Sequence, residues 1–312
     1  MSASSVGEAP LTARDLFGAI GRTPLLELKN IARGVPGARL LAKAEHLNPG
    51  GSVKDRPARA MLEDGLARGL LAPGKTILEA TSGNTGIADA MLGRALGFPV
   101  TLCVPARASA QRKAVLKAYG AELVLTDPLE GADGAIRAAR ELTARDPDKY
   151  FYPDQYSNPA NWRAHFESTG PEIWEQTEGR LTHFVAGLGT SGTFGGVTRY
   201  LKARSRAVVC VSMQPDGPLH GLEGMKHMGS QIAPPIYDPT LADAERTVAT
   251  EEAYAMCRRL ARQEGIFVGP SSGANVVAAL SVARAAPAPA TAVTILCDGG
   301  GCYVSESFWE EP

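Results

Sequence analysis

Apolar positions along this chain follow two periods in turn. Leu25-Leu26-Glu27-Leu28 and the stretch from Leu40 to Glu45 read as strands, short apolar runs bounded by turn residues. From Lys54 to Leu71 the apolar residues Ala58, Met61, Leu62 and Leu66 recur at helical spacing, until Gly69 and Pro73-Gly74 stop the run. The pattern then alternates: strand Thr76 to Ala80, helix Ile87 to Leu96, strand Pro99 to Val104, helix Gln111 to Tyr119 and strand Ala121 to Leu125. A second block repeats it, with a helix from Asn158 to Trp174, a strand Thr182 to Gly187, a helix Phe194 to Ala203 and a strand Ala207 to Met213. Helices Glu251 to Gln263 and Ala274 to Arg284 and a strand Thr291 to Cys297 complete it. This alternation predicts an α/β protein of two domains, each with a mainly parallel twisted sheet flanked by helices. Residues 1–11 read as a frayed arm, Leu16, Phe17 and Ile20 as a short helix, and Pro215 to Pro239 as an irregular loop over a substrate.

One turn stands out within that frame. Asn48-Pro49-Gly50-Gly51-Ser52-Val53-Lys54-Asp55-Arg56 brings a lysine to the start of a helix, with Ser52 and Asp55 in the spacing of a capping box. Pro57 moves the expected helix start towards Lys54. A cation in the first turn opposes the helix dipole, which predicts a depressed pKa, as a Schiff-base lysine requires. The plain alternative is a lysine that pairs with Asp55 or with a phosphate.

Three further loops join a strand to a helix. Gly187-Leu188-Gly189-Thr190-Ser191-Gly192 matches G-x-G-x-x-G, but the next strand ends Met213-Gln214-Pro215, without the acid that grips a ribose. A dinucleotide is disfavoured; the amides of a helix start and the hydroxyls of Thr190, Ser191 and Thr193 suit a single phosphate. Thr81-Ser82-Gly83-Asn84-Thr85-Gly86 reads equally as a carboxylate-binding loop and as a cluster of caps. Ser271-Ser272-Gly273 alone reads as a cap. Together, an activated lysine, a phosphate cup and a carboxylate loop suggest pyridoxal phosphate.

Charge narrows the partners. The 312 residues carry 32 basic and 33 acidic side chains, which gives no footprint for nucleic acid or a membrane surface and points to small molecules. Five cysteines show no zinc or redox spacing and read as reduced core thiols, and the histidines show no ligand spacing, so no metal is expected. No leader-like start and no long apolar run lead to the expectation of a cytoplasmic protein.

With these motifs in order, the chain resembles the cysteine synthase (O-acylserine sulfhydrylase) family of fold type II pyridoxal-phosphate enzymes, which share the tryptophan synthase β fold. The resemblance runs from about Gly21 to Tyr303 and also rests on Ile20-Gly21-Arg22-Thr23-Pro24-Leu25 and Gly269-Pro270-Ser271-Ser272-Gly273-Ala274. It implies that Lys54 carries the cofactor and acts as the base, that Asn84 bonds its 3-hydroxyl, that Gly189, Thr190, Ser191, Gly192 and Thr193 hold its phosphate, and that Ser271 faces its ring nitrogen. It implies further that Thr81, Ser82, Thr85 and Gln155 bind the substrate carboxylate. The smaller domain is then expected at 48–156, inserted into a larger one made of 1–47 and 157–312. The expected reaction is β-replacement, making L-cysteine from O-acetylserine or O-phosphoserine and sulfide, thiosulfate or a carrier-bound thiocarboxylate. Leu222-Glu223-Gly224-Met225-Lys226-His227-Met228 resembles the cysteine synthase B branch, where phosphoserine-using members place a basic residue; Lys226 holds that place here, although a solvated Lys226 is an equal reading. A homodimer is implied, with a serine acetyltransferase or a sulfur-carrier protein as partner. The alternatives are a cystathionine β-synthase-like replacement and a protein acting mainly by binding a serine acetyltransferase.

Overall fold

In this computed structural model, which describes residues 15–81 and 83–311, two sheets are built from interleaved parts of the chain. The larger has the strand order β1-β2-β10-β7-β8-β9, formed by β1 (Leu25–Glu27), β2 (Ala38–Ala44), β7 (His183–Gly187), β8 (Val209–Pro215), β9 (Ala244–Val248) and β10 (Ala290–Leu296). Only β1 runs antiparallel. The register Ala290↔Ala38 through Leu296↔Ala44 joins the two ends of the chain in one sheet. Between β2 and β7 the chain forms the smaller sheet, β5-β4-β3-β6, all parallel, from β3 (Thr76–Ala80), β4 (Val100–Pro105), β5 (Glu122–Thr126) and β6 (Tyr150–Phe151).

Parallel strands need helical crossovers, and burial on both faces explains their continuous apolar runs. On the smaller sheet α1 (Asp55–Ala67), α2 (Asn84–Leu96) and α3 (Ala110–Ala118) share a core with Ile77, Val100 and Leu102, while Ala135, Ile136 and Ala139 of α4 (Gly131–Arg145) cover Leu78 and Cys103 on the other face. Met61 and Leu62 of α1 are fully buried, each worth about 1.5–3 kcal/mol of apolar transfer. On the larger sheet α9 (Pro270–Ala285) packs with α8 (Thr250–Arg259) on one face, and α7 (Gly192–Arg204) covers the other, where Phe194 stacks on Phe184 at 6.3 Å. The helix expected at 158–174 forms as α5 (Pro159–Ala164), a wider π turn His165–Thr169 and α6 (Gly170–Gln176). No helix among the described residues is long and apolar enough to cross a membrane.

Some expectations change. Residues 16–19 form a turn, and the arm expected at 1–11 lies outside the described residues. The capping box does not form: Ser52 Oγ accepts from the Lys54 amide at 3.1 Å, whereas Asp55 turns back to the Gly50 amide at 2.5 Å. Helix α1 starts at Asp55 with Lys54 as its N-cap residue, which puts Pro57 in the first turn, where its missing N–H costs nothing. Helix α4 and strands β6 and β9 were not anticipated. The loop from 216 to 238 is irregular as expected.

Behind α1 lies a buried set of charges. Lys43 Nζ meets Glu172 at 2.6 Å; Arg56 meets Glu172 at 2.7 Å and Glu45 at 2.7 Å. Glu45 also accepts from Thr23 Oγ1 at 2.6 Å and from Asn48 Nδ2 at 2.9 Å, and Asn48 Oδ1 accepts from the Gly21 amide at 2.8 Å. Partial burial works against the Glu172 charge, but its bonds to Arg56 and Lys43 outweigh this and hold its carboxyl at about 2. A depressed carboxyl contributes stability that is complete above about pH 4.5 and lost as pH falls towards 2. Denaturation midpoints measured across that window are therefore expected to fall steeply for the native chain and less steeply for Glu172→Gln. At neutral pH Glu172→Ala, which leaves Lys43 without its counter-ion, is expected to cost on the order of 3 kcal/mol.

Candidate functional site

The functional loops follow the carboxyl ends of parallel strands, where open α/β sheets bind ligands. Thr81 follows β3, Leu188 to Ser191 follow β7, and Asp298 lies two residues beyond β10. Lys54 arrives from the turn before α1. One cavity is lined by Lys54, Asn84, Gly189, Thr190, Ser191, Thr193 and Ser271, with Cys297 and Asn275. A second, of about 510 Å³, adjoins it through Lys54, Asn84, Gly189 and Thr190, and takes in Thr81, Thr85, Gln155 and Lys226. The structure thus brings together the sequence-selected residues that it describes, with Gly192 placed between Ser191 and Thr193 and itself lining neither cavity; Ser82 lies outside the described residues.

The loop before α7 has the makings of a phosphate cradle. Ser191 adopts a left-handed backbone, φ 67°, and its buried Oγ has no protein partner. The opening amides of this 13-residue helix have no intrahelical acceptors. A Cβ on Gly189 would collide with the Gly224 carbonyl, and one on Gly192 with the Asn161 amide, so both positions require glycine. The cradle is held from behind: Asn161 Nδ2 donates to Gln155 O at 2.7 Å and to Thr190 Oγ1 at 3.2 Å. His165 lies between Thr169 Oγ1 at 2.9 Å and Thr193 Oγ1 at 3.2 Å. Burial, with the nearby Arg56, pushes the His165 imidazole down to about 3, so it stays neutral and brings no cationic charge to the cradle. An orphaned buried hydroxyl, a helix start and two obligatory glycines fit the phosphate of pyridoxal phosphate.

Asn84 Nδ2 donates to Asp298 Oδ2 at 2.7 Å, and Tyr303 OH donates to the same oxygen at 2.7 Å. Ser271, on the first turn of α9, is buried beside Asn275, whose Nδ2 donates to Ile295 O at 2.9 Å and reaches Cys297 Sγ at 3.2 Å. Burial pushes the Cys297 thiol up to about 11, against the pull of the Lys54 ammonium, which keeps it protonated next to the lysine. In the second cavity Thr85 Oγ1 donates to Gln155 Oε1 at 2.7 Å, and Gln155 Nε2 donates to Ala80 O at 3.0 Å. Glu79 Oε2 accepts from the Gln155 amide at 3.2 Å. Burial raises the Glu79 carboxyl well above its usual range, and the facing Asp89 adds to this. Lys226 is 5% exposed, so the solvated reading does not hold; its Nζ is 3.3 Å from Asp133 and 5.2 Å from the centre of the Tyr156 ring.

Sequence reasoning missed Asp298, Asn161, His165, Asn275, Arg112 and Tyr303. Asp298 offered one signal, an acid opening a glycine run directly after a strand. The others lie inside helices or far from their partners; Asn84 and Asp298 are 214 residues apart.

A family profile described as pyridoxal-phosphate dependent enzyme matches residues 16–298. Among curated relatives, a cysteine synthase of Aquifex aeolicus is 50% identical over 297 residues, covering 94% of this chain and 91% of that protein. A cysteine synthase B of Pseudomonas aeruginosa is 44% identical over 292 residues, covering 93% and 96%. Among solved structures, a cysteine synthase of Entamoeba histolytica superposes with a TM-score of 0.92 at 34% identity, covering 100% of this chain and 95% of that one.

A Gly192→Ala substitution tests the cradle. The added methyl displaces Asn161 and the loop, and cofactor affinity, followed by visible absorbance on dialysis and titration, is expected to fall by about tenfold or more, equivalent to about 1.4 kcal/mol. Unchanged affinity would place the phosphate elsewhere.

Proposed function

The chain belongs to the family of pyridoxal-phosphate-dependent enzymes, in its cysteine synthase branch, and from that premise we propose how its residues divide the work of making L-cysteine by β-replacement. The observation that carries this reading is that Lys54 and Asn84 line both cavities, the one with the phosphate cradle and the one with the carboxylate-binding groups. Pyridoxal phosphate, when bound, supplies an electron sink that acidifies the Cα–H of an amino acid joined to it.

The protein's part is to hold, orient and move one proton. Residues 189–193 take the phosphate and Ser271 faces the ring nitrogen, where a neutral hydroxyl, unlike a carboxylate, does not hold that nitrogen protonated. This favours loss of a Cβ substituent over transamination. Thr81, Thr85 and Gln155 receive the substrate carboxylate, with Glu79 and Ala80 O holding Gln155 in place. That fixes the Cα–H towards Lys54 Nζ, which takes the proton as general base. The Cβ substituent, an O-acyl or O-phosphoryl group, leaves, a sulfur nucleophile adds at the same carbon, and Lys54 returns the proton to Cα. Sulfide gives cysteine directly, whereas thiosulfate gives S-sulfocysteine and a thiocarboxylate an acyl conjugate of cysteine, from which a separate reaction releases cysteine. The four-stranded sheet lies wholly within 48–156, which supports this unit as the smaller domain, with the six-stranded sheet in 1–47 and 157–312. We assign the enzyme to the cytoplasm as a homodimer; light scattering giving twice the chain mass of 32.8 kDa supports the dimer, and the chain mass itself contradicts it.

Lys54→Ala is expected to lower turnover of O-acetylserine with sulfide by roughly 10²–10⁴-fold or more, with an unchanged circular dichroism spectrum. Turnover close to that of the native chain would contradict the assignment. Lys226→Ala is expected to raise KM for O-phosphoserine by about tenfold and KM for O-acetylserine far less, since only the former places a dianion near the ammonium; equal effects would remove Lys226 from phosphate binding.

A further inference from the structure

The larger cavity holds a second buried cation that the reaction as derived does not use. Arg112, in the first turn of α3, has a side chain only 3% exposed, and its Nε has no partner. The guanidinium carbon lies 4.8 Å from the centre of the Tyr303 ring, and a Cβ built on Gly83 would be 3.6 Å from Arg112 Nη1. The group therefore lies over the loop that receives the substrate. Its counter-ion is Glu223, from the irregular loop after β8, which is 39% exposed.

This pairing is asymmetric. A buried guanidinium is expensive without an anion, whereas a partly exposed carboxylate returns to water at little cost. Glu223 can be exchanged and Arg112 cannot. Lys226 shows the same arrangement in the same cavity, with a side chain 6% exposed against 27% for its partner Asp133. Two buried cations, each matched with a displaceable acid, suit an incoming dianion better than a neutral acyl group. The planar fork of Arg112 suits an oxyanion that it can grip with two bonds.

We propose that Arg112 is a specificity residue of this site, a subsite for the tetrahedral oxyanion of a substrate, in which Glu223 stands as a placeholder until that anion displaces it. The proposal rests on the reading that an amino acid reacts at Lys54, and it concerns either of two sources of the same chemistry: the phosphoryl group of an activated serine or the sulfonate end of thiosulfate.

The test uses the holoenzyme and the variants Glu223→Gln and Arg112→Gln. Inorganic phosphate, titrated as an inhibitor of O-acetylserine turnover with sulfide, is expected to bind Glu223→Gln about tenfold or more tightly than the native enzyme, and Arg112→Gln less tightly. The gain in Glu223→Gln keeps the proposal testable even where Arg112→Gln fails to fold. A rise in KM for O-phosphoserine alone in Arg112→Gln assigns the subsite to the phosphoryl group, and a rise for thiosulfate alone assigns it to the sulfonate. Equal losses with every substrate, including O-acetylserine with sulfide, together with unchanged phosphate inhibition in Glu223→Gln, would overturn it. A native enzyme that turns over neither O-acetylserine nor O-phosphoserine with sulfide would instead sink the reading of the reaction itself.

Discussion

The buried charge cluster of Lys43, Glu45, Arg56 and Glu172 is the constraint on which the rest of this structure depends. Taking charges out of water costs several kcal/mol per ion, and attraction offsets this only in good geometry. Arg56 has that geometry, with both ends of its guanidinium on carboxylates from β2's exit and from α6. Any shift of α1 would leave charge buried and unpaired. The cluster therefore acts less as a source of stability than as a register for the residue two places before Arg56. Lys43, a fully buried lysine nearby, is committed to Glu172 and Gln176, whereas Lys54 faces the cavities.

The same cluster explains why motifs so distant in sequence act together. Thr23 and Gly21 belong to it through Glu45 and Asn48, so the first motif of the chain has a mechanical role and need not touch a ligand. The pairing of β2 with β10 then sets Asp298 and Cys297 beside the lysine turn, where the Val53 amide donates to Cys297 O at 2.7 Å. Across the cleft, Asn161 ties Gln155, on the proposed carboxylate side, to Thr190 of the proposed phosphate cradle. One amide side chain thus couples the two halves of the site.

Much of this was legible in the sequence because parallel strands, buried on both faces, leave clear apolar runs between turn residues. Strand β3 appeared with its observed limits. Two of the four edge strands were not legible: β9 buries only Val248 fully, and β6 has two residues. Helix α4 was missed because its core face is made of Gly, Ala and one Ile, which gives little contrast with its flanks. At the site, the lysine and the loops were legible from turn chemistry, but their supports were not. Asn161 and His165 are ordinary helical residues until the fold sets them under α7, and the pairing of Arg112 with Glu223 exists only once the smaller sheet meets the loop after β8. Asp55 shows the limit of local rules, since its carboxylate returns to Gly50 and leaves the expected cap unmade.

The central claim is that this architecture selects one lysine. The most direct measurement is to bind pyridoxal phosphate, fix the lysine linkage with borohydride, and map the modified peptide by mass spectrometry. The account predicts a stoichiometric adduct on Lys54, in the peptide that contains Ser52 and Val53. An adduct confined to Lys43 or Lys226, or spread over surface lysines with Lys54 unmodified, would contradict it.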